Sequence, residues 1–377
     1  SIGRSRSIDA TRLYESVPSP AAGNANTNNA NANTNANKSD KSIGAAAKRL
    51  KHRLLVLWRF TRPHTIIGSA LAIPALHLLA APTYGTALTA RSLISMVYAT
   101  VPSLLMNLYI TGLNQITDVE IDKINKPNLP IASGDLSVGD ATLVVVASLV
   151  LSFGLGAAVP SLATEGLGMA LGMSAILGTL YSLPPFRLKR YPFLAAFCIV
   201  AVRGAVINAG FFAHAKAAAY SVAGAASSTS ASASIGVLDL LLRDPRCALS
   251  SLYFAVFGLV IALMKDVPDV AGDELSNIRT VSVRLGPKKV YQAMHRLLSG
   301  LFWGVGLAFL RGAAAASSPV AVRGGRALVG IAAFLAGASV QKEAAPVDPE
   351  NPRQVYNFYM HLWKLFYLSY FFLPFAR

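Results

Sequence analysis

The chain has 377 residues, of which 53% are hydrophobic and only 14% charged, against about 25% charged in soluble domains, which excludes an ordinary water-soluble fold and requires lipid around it. Lys and Arg number 34 against 18 Asp and Glu, a formal charge of +16, but long apolar runs interrupt the basic residues, so they suit a membrane surface better than a nucleic acid. Two cysteines, Cys198 and Cys247, with no CxxC and no His/Cys cluster, exclude a disulfide-built domain, a zinc finger and an iron–sulfur protein.

Residues 1–47 are Ser, Asn and Ala with scattered basic residues and no hydrophobic period, which predicts a disordered arm. Being rich in Ser and Arg and poor in acids, the arm fits the remnant of an organelle transit peptide as well as a polar tail without an address. Residues 48–377 read as one transmembrane domain, all-α and polytopic. Apolar runs near the ~20 residues that cross a bilayer recur between short polar loops. Nine are predicted, over 64–82, 93–115, 138–158, 163–183, 192–214, 249–266, 289–311, 325–341 and 355–375; the first and the eighth are short enough to be re-entrant. The Ala- and Ser-rich stretch 215–248 is expected to be a flexible loop insertion.

An odd number of spans places the termini on opposite sides and sorts the loops into two sets. The amino-terminal side, with the loops near 116–137, 184–191, 265–289 and 342–354, carries 23 Lys and Arg, and the other side carries 8. By the positive-inside rule the first set faces the cytoplasm, or the stroma in a plastid.

Chemistry gathers in two acidic clusters. Asn114, Asp118 and Asp122, in NQITDVEID at the end of the second apolar run, are four apart and share a helix face. Lys265, Asp266, Asp269 and Asp273, in KDVPDVAGD at the end of the sixth, repeat that spacing. Carboxylates at helix ends can simply sit among lipid headgroups. Two matching pairs say more, because four converging carboxylates repel one another unless cations intervene. Oxygen-only ligands at this density suit Mg²⁺, which bridges protein carboxylates to substrate phosphates.

Basic residues fall on the same predicted face. Arg187 and Lys189 follow Tyr181 in YSLPPFRLKRYP, and Lys265 opens the second cluster; these three are read as phosphate partners. For Arg190, Lys288 and Lys289 the positive-inside rule is an equal explanation, and Arg279 and Arg284 stand in the same loop. Arg203 differs, since it lies inside the apolar run AAFCIVAVRGAVINAGFFAHA. An intramembrane Arg either pairs structurally with a carboxylate or carbonyls, or recognises a carboxylate on an acceptor substrate; Asn208, five residues on, would share that pocket. His64, in RFTRPHT, either orients substrate or, more simply, marks the membrane interface. The remaining histidines have no partner at metal-site spacing. The aromatic segment NFYMHLWKLFYLSYFF reads as a lipid-facing or packing surface, with a few rings available to a hydrophobic tunnel.

NQITDVEID and KDVPDVAGD, with YSLPPFRLKRYP between them, resemble the UbiA superfamily of intramembrane aromatic prenyltransferases. The likeness runs from about Arg59 to the carboxyl terminus, and RFTRPHTIIGSALAI, IRTVSVRLG and FYMHLWKLFYLSYFFLP are most similar to the plastid homogentisate phytyltransferases within it. The Ala- and Ser-rich stretch 217–235 is longer than that pattern needs. The resemblance implies nine transmembrane helices around a central cavity, a prenyl diphosphate donor, homogentisate as acceptor and two Mg²⁺ ions. Asn114, Asp118 and Asp122 would hold one ion, and Asp269 and Asp273 the other. Tyr181, Arg187, Lys189 and Lys265 would contact the diphosphate, and Asp266 would orient Lys265 or a metal-bound water. Alternatives within this class are homogentisate solanesyl- or geranylgeranyltransferases and chlorophyll synthase. A secondary transporter is the rival from another class, and it would place its charges near the membrane midplane on broken helices.

Overall fold

The computed structural model describes residues 34–220, 236–276, 278–315 and 318–376. The chain divides into two compact units, Ser1–His52 and Arg53–Arg377. In the first, the described backbone is helical from Thr34 and belongs to α1 (Thr34–Phe60), so a helix begins within the arm expected to be disordered. Residues 1–33 of that arm lie outside the described residues.

The second unit is built from helices alone among the described residues. After α1 come α2 (Pro63–Ala80), the single turn α3 (Tyr84–Ala87), α4 (Ala90–Thr117), α5 (Val119–Asn125), α6 (Val138–Ala157) and α7 (Glu165–Ser182). A continuous helical segment follows, α8 (Pro192–Val200) and α9 (Ile207–His214), joined by a π-helical stretch at Ala201–Val206 and extended by another at Ala215–Ala219. The chain closes with α10 (Val237–Arg243), α11 (Pro245–Lys265), α12 (Val270–Leu275), α13 (Val281–Leu285), α14 (Pro287–Ala314), α15 (Val320–Ala344) and α16 (Pro352–Phe372). The stretch 215–248 is therefore helical at both ends rather than a loop throughout, and 221–235 lies outside the described residues.

All nine apolar runs are helical, and seven of the described helices are long and apolar enough to cross a membrane. The other two, α7 and α16, are diluted by glycines and by His, Asn and Tyr respectively, which lowers their apolarity without interrupting the helix. Membrane burial also explains the surface. α6 leaves Leu143 70% and Val150 64% exposed, faces that water would not tolerate in such number but lipid tails cover.

Helix starts follow local chemistry. Proline stands in the first turn of α2, α8, α11, α14 and α16, where its missing N–H costs nothing and its fixed φ already suits the helix. Side-chain oxygens of Thr89, Ser137, Thr164 and Asn351 cap α4, α6, α7 and α16, each satisfying a backbone N–H that the helix cannot. Packing then fixes the bundle. α7 meets α9 at Gly166 and Gly210, where a Cβ on Gly166 would stand 2.4 Å from the Gly210 carbonyl oxygen. Phe254 of α11 stacks on Tyr370 of α16 at 3.9 Å between ring centroids, and Phe257, Phe302 and Phe366 pack edge-on beside them.

A buried polar chain ties α2, α4, α7 and α9 together. Thr164 Oγ1 lies 2.7 Å from His214 Nδ1, His214 Nε2 3.1 Å from Ser95 Oγ, and Ser95 Oγ 3.3 Å from His77 Nε2. His77 Nδ1 is 2.9 Å from the Ile73 carbonyl. A carbonyl can only accept, so Nδ1 of His77 donates there. One consistent direction then follows: Thr164 donates to His214, His214 to Ser95, and Ser95 to His77, with both rings neutral.

Candidate active site

The first acidic cluster sits where α4 gives way to α5. Asp118 breaks the helix with φ −116° and ψ 15°, yet its carbonyl still accepts the Asp122 N–H at 2.7 Å, so Asn114, Asp118 and Asp122 keep a common face as the spacing predicts. Asn114 Nδ2 donates to Asp118 Oδ2 at 2.9 Å. The other carboxylate oxygen of Asp118 receives Arg187 Nη2 at 2.9 Å and the Lys189 ammonium. The side chains of Lys189 and Asp118 are only 8% and 11% exposed, and burial without a partner would be costly for either. Arg187 reaches this position through a left-handed backbone at φ 39°, and Arg62 has φ 51°. Positive φ is uncommon outside glycine, and such residues gather at functional sites.

The second cluster lies where α11 ends and α12 begins. Lys265 is the last residue of α11, Asp266 its C-cap, and Asp269 the N-cap of α12. Lys265 pairs with Asp266 at 3.2 Å, and the Asp273 N–H donates to the Asp269 carbonyl at 3.1 Å.

The two clusters are drawn together by an interlock between α5 and α12. Asn125 Oδ1 accepts the Gly272 N–H at 3.0 Å, and Lys126 pairs with Asp269. A Cβ on Gly272 would lie 2.2 Å from Asn125 Oδ1, so only glycine permits this approach. Asn114, Asp118, Asp122, Tyr181, Lys189, Lys265, Asp266, Asp269 and Asp273 all line one polar recess. Arg187 stands behind it, holding Asp118.

Charge in the recess is unbalanced in a particular way. Burial pushes the carboxyls of Asp122 and Asp266 above the usual range. Asp273 is pushed up to about 7, first by burial and then by Asp266 and Asp269. Burial holds the Lys189 ammonium down to about 8 against the pull of Asp118. Among the described residues no three His, Cys, Asp or Glu side chains stand together closely enough to hold an ion unaided, because Asp118 and Asp269 are turned to Arg187, Lys189 and Lys126. The donor set nevertheless fits a hard divalent cation. It offers oxygen ligands only, and no ion pair among the described residues reaches Asp122 or Asp273. Mg²⁺ commonly takes one or two carboxylates and completes its shell with water and phosphate oxygens rather than needing a full protein cage.

Beneath the recess lies a cavity of about 240 Å³. The two share Arg62, Asn114, Tyr181 and Lys265 as a common wall. Arg203 lines the cavity from the π-helical stretch. Its guanidinium is 5.5 Å from the ring centroids of both Trp363 and Phe366, and its Nη1 is buried without a hydrogen-bond partner. A carboxylate partner from within the chain, one of the two readings of an intramembrane Arg, is not present among the described residues. Asn208 does not share the pocket: it is fully buried behind the wall, and its Nδ2 donates to the Arg203 carbonyl.

Other expectations sort cleanly. Arg190, Arg279, Arg284, Lys288 and Lys289 are exposed and line neither the recess nor the cavity, as the charge rule alone would have them. His64 faces the cavity rather than the lipid interface, and so do Tyr359, Trp363 and Phe366 of the aromatic terminal segment. Sequence reasoning passed over Arg62, Asn125 and Lys126, treating the basic pair as loop charges. A signal existed for Lys126, which continues the four-residue spacing Asn114, Asp118, Asp122.

Residues 71–365 match the UbiA prenyltransferase family. A homogentisate phytyltransferase of Synechocystis sp. is 35% identical over 324 residues, covering 85% of this chain and 94% of that one. A homogentisate geranylgeranyltransferase of Hordeum vulgare is 36% identical, covering 89% and 77%. A homogentisate solanesyltransferase of Arabidopsis thaliana is 35% identical, covering 84% and 75%. In fold, the chain is similar to a UbiA homolog from Archaeoglobus fulgidus solved with GPP and Mg²⁺, with a TM-score of 0.55 at 16% identity over 85% of this chain and 99% of that one. Two acidic helix ends over an apolar cavity, and a match across most of the chain, have one meaning: the protein is a membrane-embedded enzyme that belongs to the UbiA prenyltransferase family.

Proposed function

We propose that the enzyme transfers a phytyl group from phytyl diphosphate to homogentisate, with loss of the acceptor carboxylate as CO₂ and release of diphosphate, at a plastid membrane with the acidic face toward the stroma. The observation that carries this reading is the shared wall between the recess, which suits a diphosphate, and an apolar cavity holding a buried Arg with a free donor. Asn114, Asp118 and Asp122 would hold one Mg²⁺ and Asp269 and Asp273 a second, and the ions supply positive charge at the leaving oxygen of the diphosphate. Lys189 and Lys265 add fixed positive charge to the same oxygens, the hydroxyl of Tyr181 borders them, and Arg187, rather than contacting the diphosphate, holds Asp118 from behind the recess. Asp266 keeps the Lys265 ammonium directed by their ion pair. Donors already in place where charge builds need no reorganisation during reaction, which is why such preorganisation is effective. The cavity walls keep water from the allylic cation that forms as the C–O bond breaks, and the faces of Trp363, Phe366 and Tyr359 support its charge.

Arg203 would bind the carboxylate of homogentisate through Nη1, the donor that the protein leaves unmet. Relatives of nearly equal identity carry phytyl, geranylgeranyl and solanesyl transferase names, so tail length is decided by assay. Membranes containing the enzyme, given homogentisate with phytyl, geranylgeranyl or solanesyl diphosphate in turn, should yield most product with the phytyl donor. Preference for another donor would replace the phytyl assignment, and substrate counterflow without product would point to transport. Arg203→Ala should raise the homogentisate KM about 10- to 100-fold, the scale of a lost charged hydrogen bond, with donor KM unchanged; the opposite pattern would remove Arg203 from the acceptor.

A further inference from the structure

One polar side chain of the cavity wall has no task in the scheme above. His64 lines the cavity two residues beyond Arg62, and no described residue hydrogen-bonds its imidazole. The surroundings nevertheless hold it. Its carbonyl accepts the Tyr367 hydroxyl at 2.8 Å, and its ring meets Trp363 at 5.1 Å and Tyr359 at 6.3 Å between centroids, both edge-on. Trp363 is also the ring beneath Arg203. One turn along α2, a Cβ on Gly68 would lie 3.1 Å from Trp363 and 3.8 Å from Arg203 Nη1, so this face of the helix is left bare where the guanidinium approaches. Along one wall the order is thus Arg62 beside the diphosphate recess, then His64, then Arg203.

An aromatic acid whose carboxylate meets Arg203 and whose reacting carbon points to the recess lays its ring beside His64. When the allylic carbon bonds to a ring carbon, the new bond uses a ring π pair, and the C–O pair of the donor leaves on the diphosphate. The ring carbon then carries a surplus proton. We infer that the imidazole of His64 takes this proton, the C–H pair returning to the ring. The benzylic carbon that loses CO₂ takes up one proton, so the count closes with no oxidant, reductant or further reactant. An imidazole without a hydrogen-bond partner is free for this role, and the rings of Trp363 and Tyr359 packed against it limit its access to water. The inference rests on the placement of the acceptor at Arg203.

Two variants and an isotope test it. His64→Gln keeps the ring's approximate bulk and polarity without its basicity. It should lower kcat about 10²- to 10³-fold, the usual reach of a positioned base, while leaving the homogentisate KM nearly unchanged. With homogentisate deuterated on the ring, His64→Gln should show a primary isotope effect on kcat that the native enzyme lacks, because proton loss becomes limiting. Added imidazole should restore part of the activity of His64→Ala, which also shows that this variant is folded. Native turnover in either variant, or a raised KM with kcat intact and no isotope effect, would overturn the inference. If the native enzyme prenylates a different phenolic acid and not homogentisate, the acceptor assignment fails instead, and the isotope and imidazole measurements with that acid still decide the role of His64.

Discussion

The polar recess and the histidine chain are both buried clusters of titratable groups in one helical bundle, and they are built on opposite rules. Around His77 and His214 each donor finds an acceptor inside the protein, and the chain of bonds ends on the Ile73 carbonyl. Around Asp122 and Asp273 the carboxyls are pushed up first by burial and then by neighbouring carboxylates, Asp118 and Asp269 for the one and Asp266 and Asp269 for the other, while Arg187, Lys189 and Lys126 pair with Asp118 and Asp269 and Lys265 with Asp266. A cluster that satisfies itself holds helices in register. A cluster that leaves two carboxyls without an ion-pair partner at an open recess is prepared for something that brings charge to them.

The comparison is broken most forcefully at the recess. Asp269→Ala should lower kcat/KM by at least about 10²- to 10³-fold, the scale on which one preorganised electrostatic partner counts, and the protein should still insert into membranes. It also strips Lys126 of its partner, so expression is checked by the amount of membrane-extracted protein. Activity within a few-fold of native would remove the second acidic cluster from the chemistry. Gly272→Val should come next, with a loss of about 10²-fold, as expected when reacting groups shift by about 1 Å. The added side chain has no room against Asn125, so α5 and α12 must separate while every ligand residue is kept. A native rate in this variant would show that the two acidic ends function without their interlock.

Thr164→Val sharpens the other half of the comparison. It deprives His214 Nδ1 of its donor and α7 of its cap, costing about 1–3 kcal/mol of stability for an unmet buried group and leaving kcat within about twofold. Thermal unfolding in detergent, followed beside turnover, separates the two effects. A large fall in kcat at unchanged stability would mean that the histidine chain communicates with the recess.

How much of this could be read in the sequence depended on contrast. Asp118, Asp122, Asp269, Asp273 and Arg203 were legible because charge inside or at the end of an apolar run has few bland explanations. Nine helical stretches were legible for the same reason, since the apolar runs are separated by short polar breaks. What stayed hidden depends on three-dimensional neighbours. The Asn125–Gly272 bond joins residues 147 positions apart, and nothing local in either loop announces it. His64 and Trp363 each look like interfacial residues by position, and only the packing of α16 against α2 turns both to the cavity. Asn208 erred the other way: its nearness to Arg203 in sequence suggested a shared pocket, whereas a π-helical turn puts its amide on the backbone behind the guanidinium.

The smallest effect concerns the basic residues that sequence alone could not divide between phosphate binding and topology. Lys288 and Lys289 lie in the first turn of α14, near Arg279 and Arg284, and all four are exposed away from the recess. Replacing all four by Gln should change kcat and donor KM by less than about twofold, as for surface substitutions away from a site. The same four charges weigh in the positive-inside balance, so protease accessibility of the segment from the end of α12 to the start of α14 in sealed vesicles is measured alongside turnover. A donor KM that rises steeply, and more so at low salt where exposed charges act over longer range, would move these residues from topology into diphosphate capture and extend the functional surface beyond the recess.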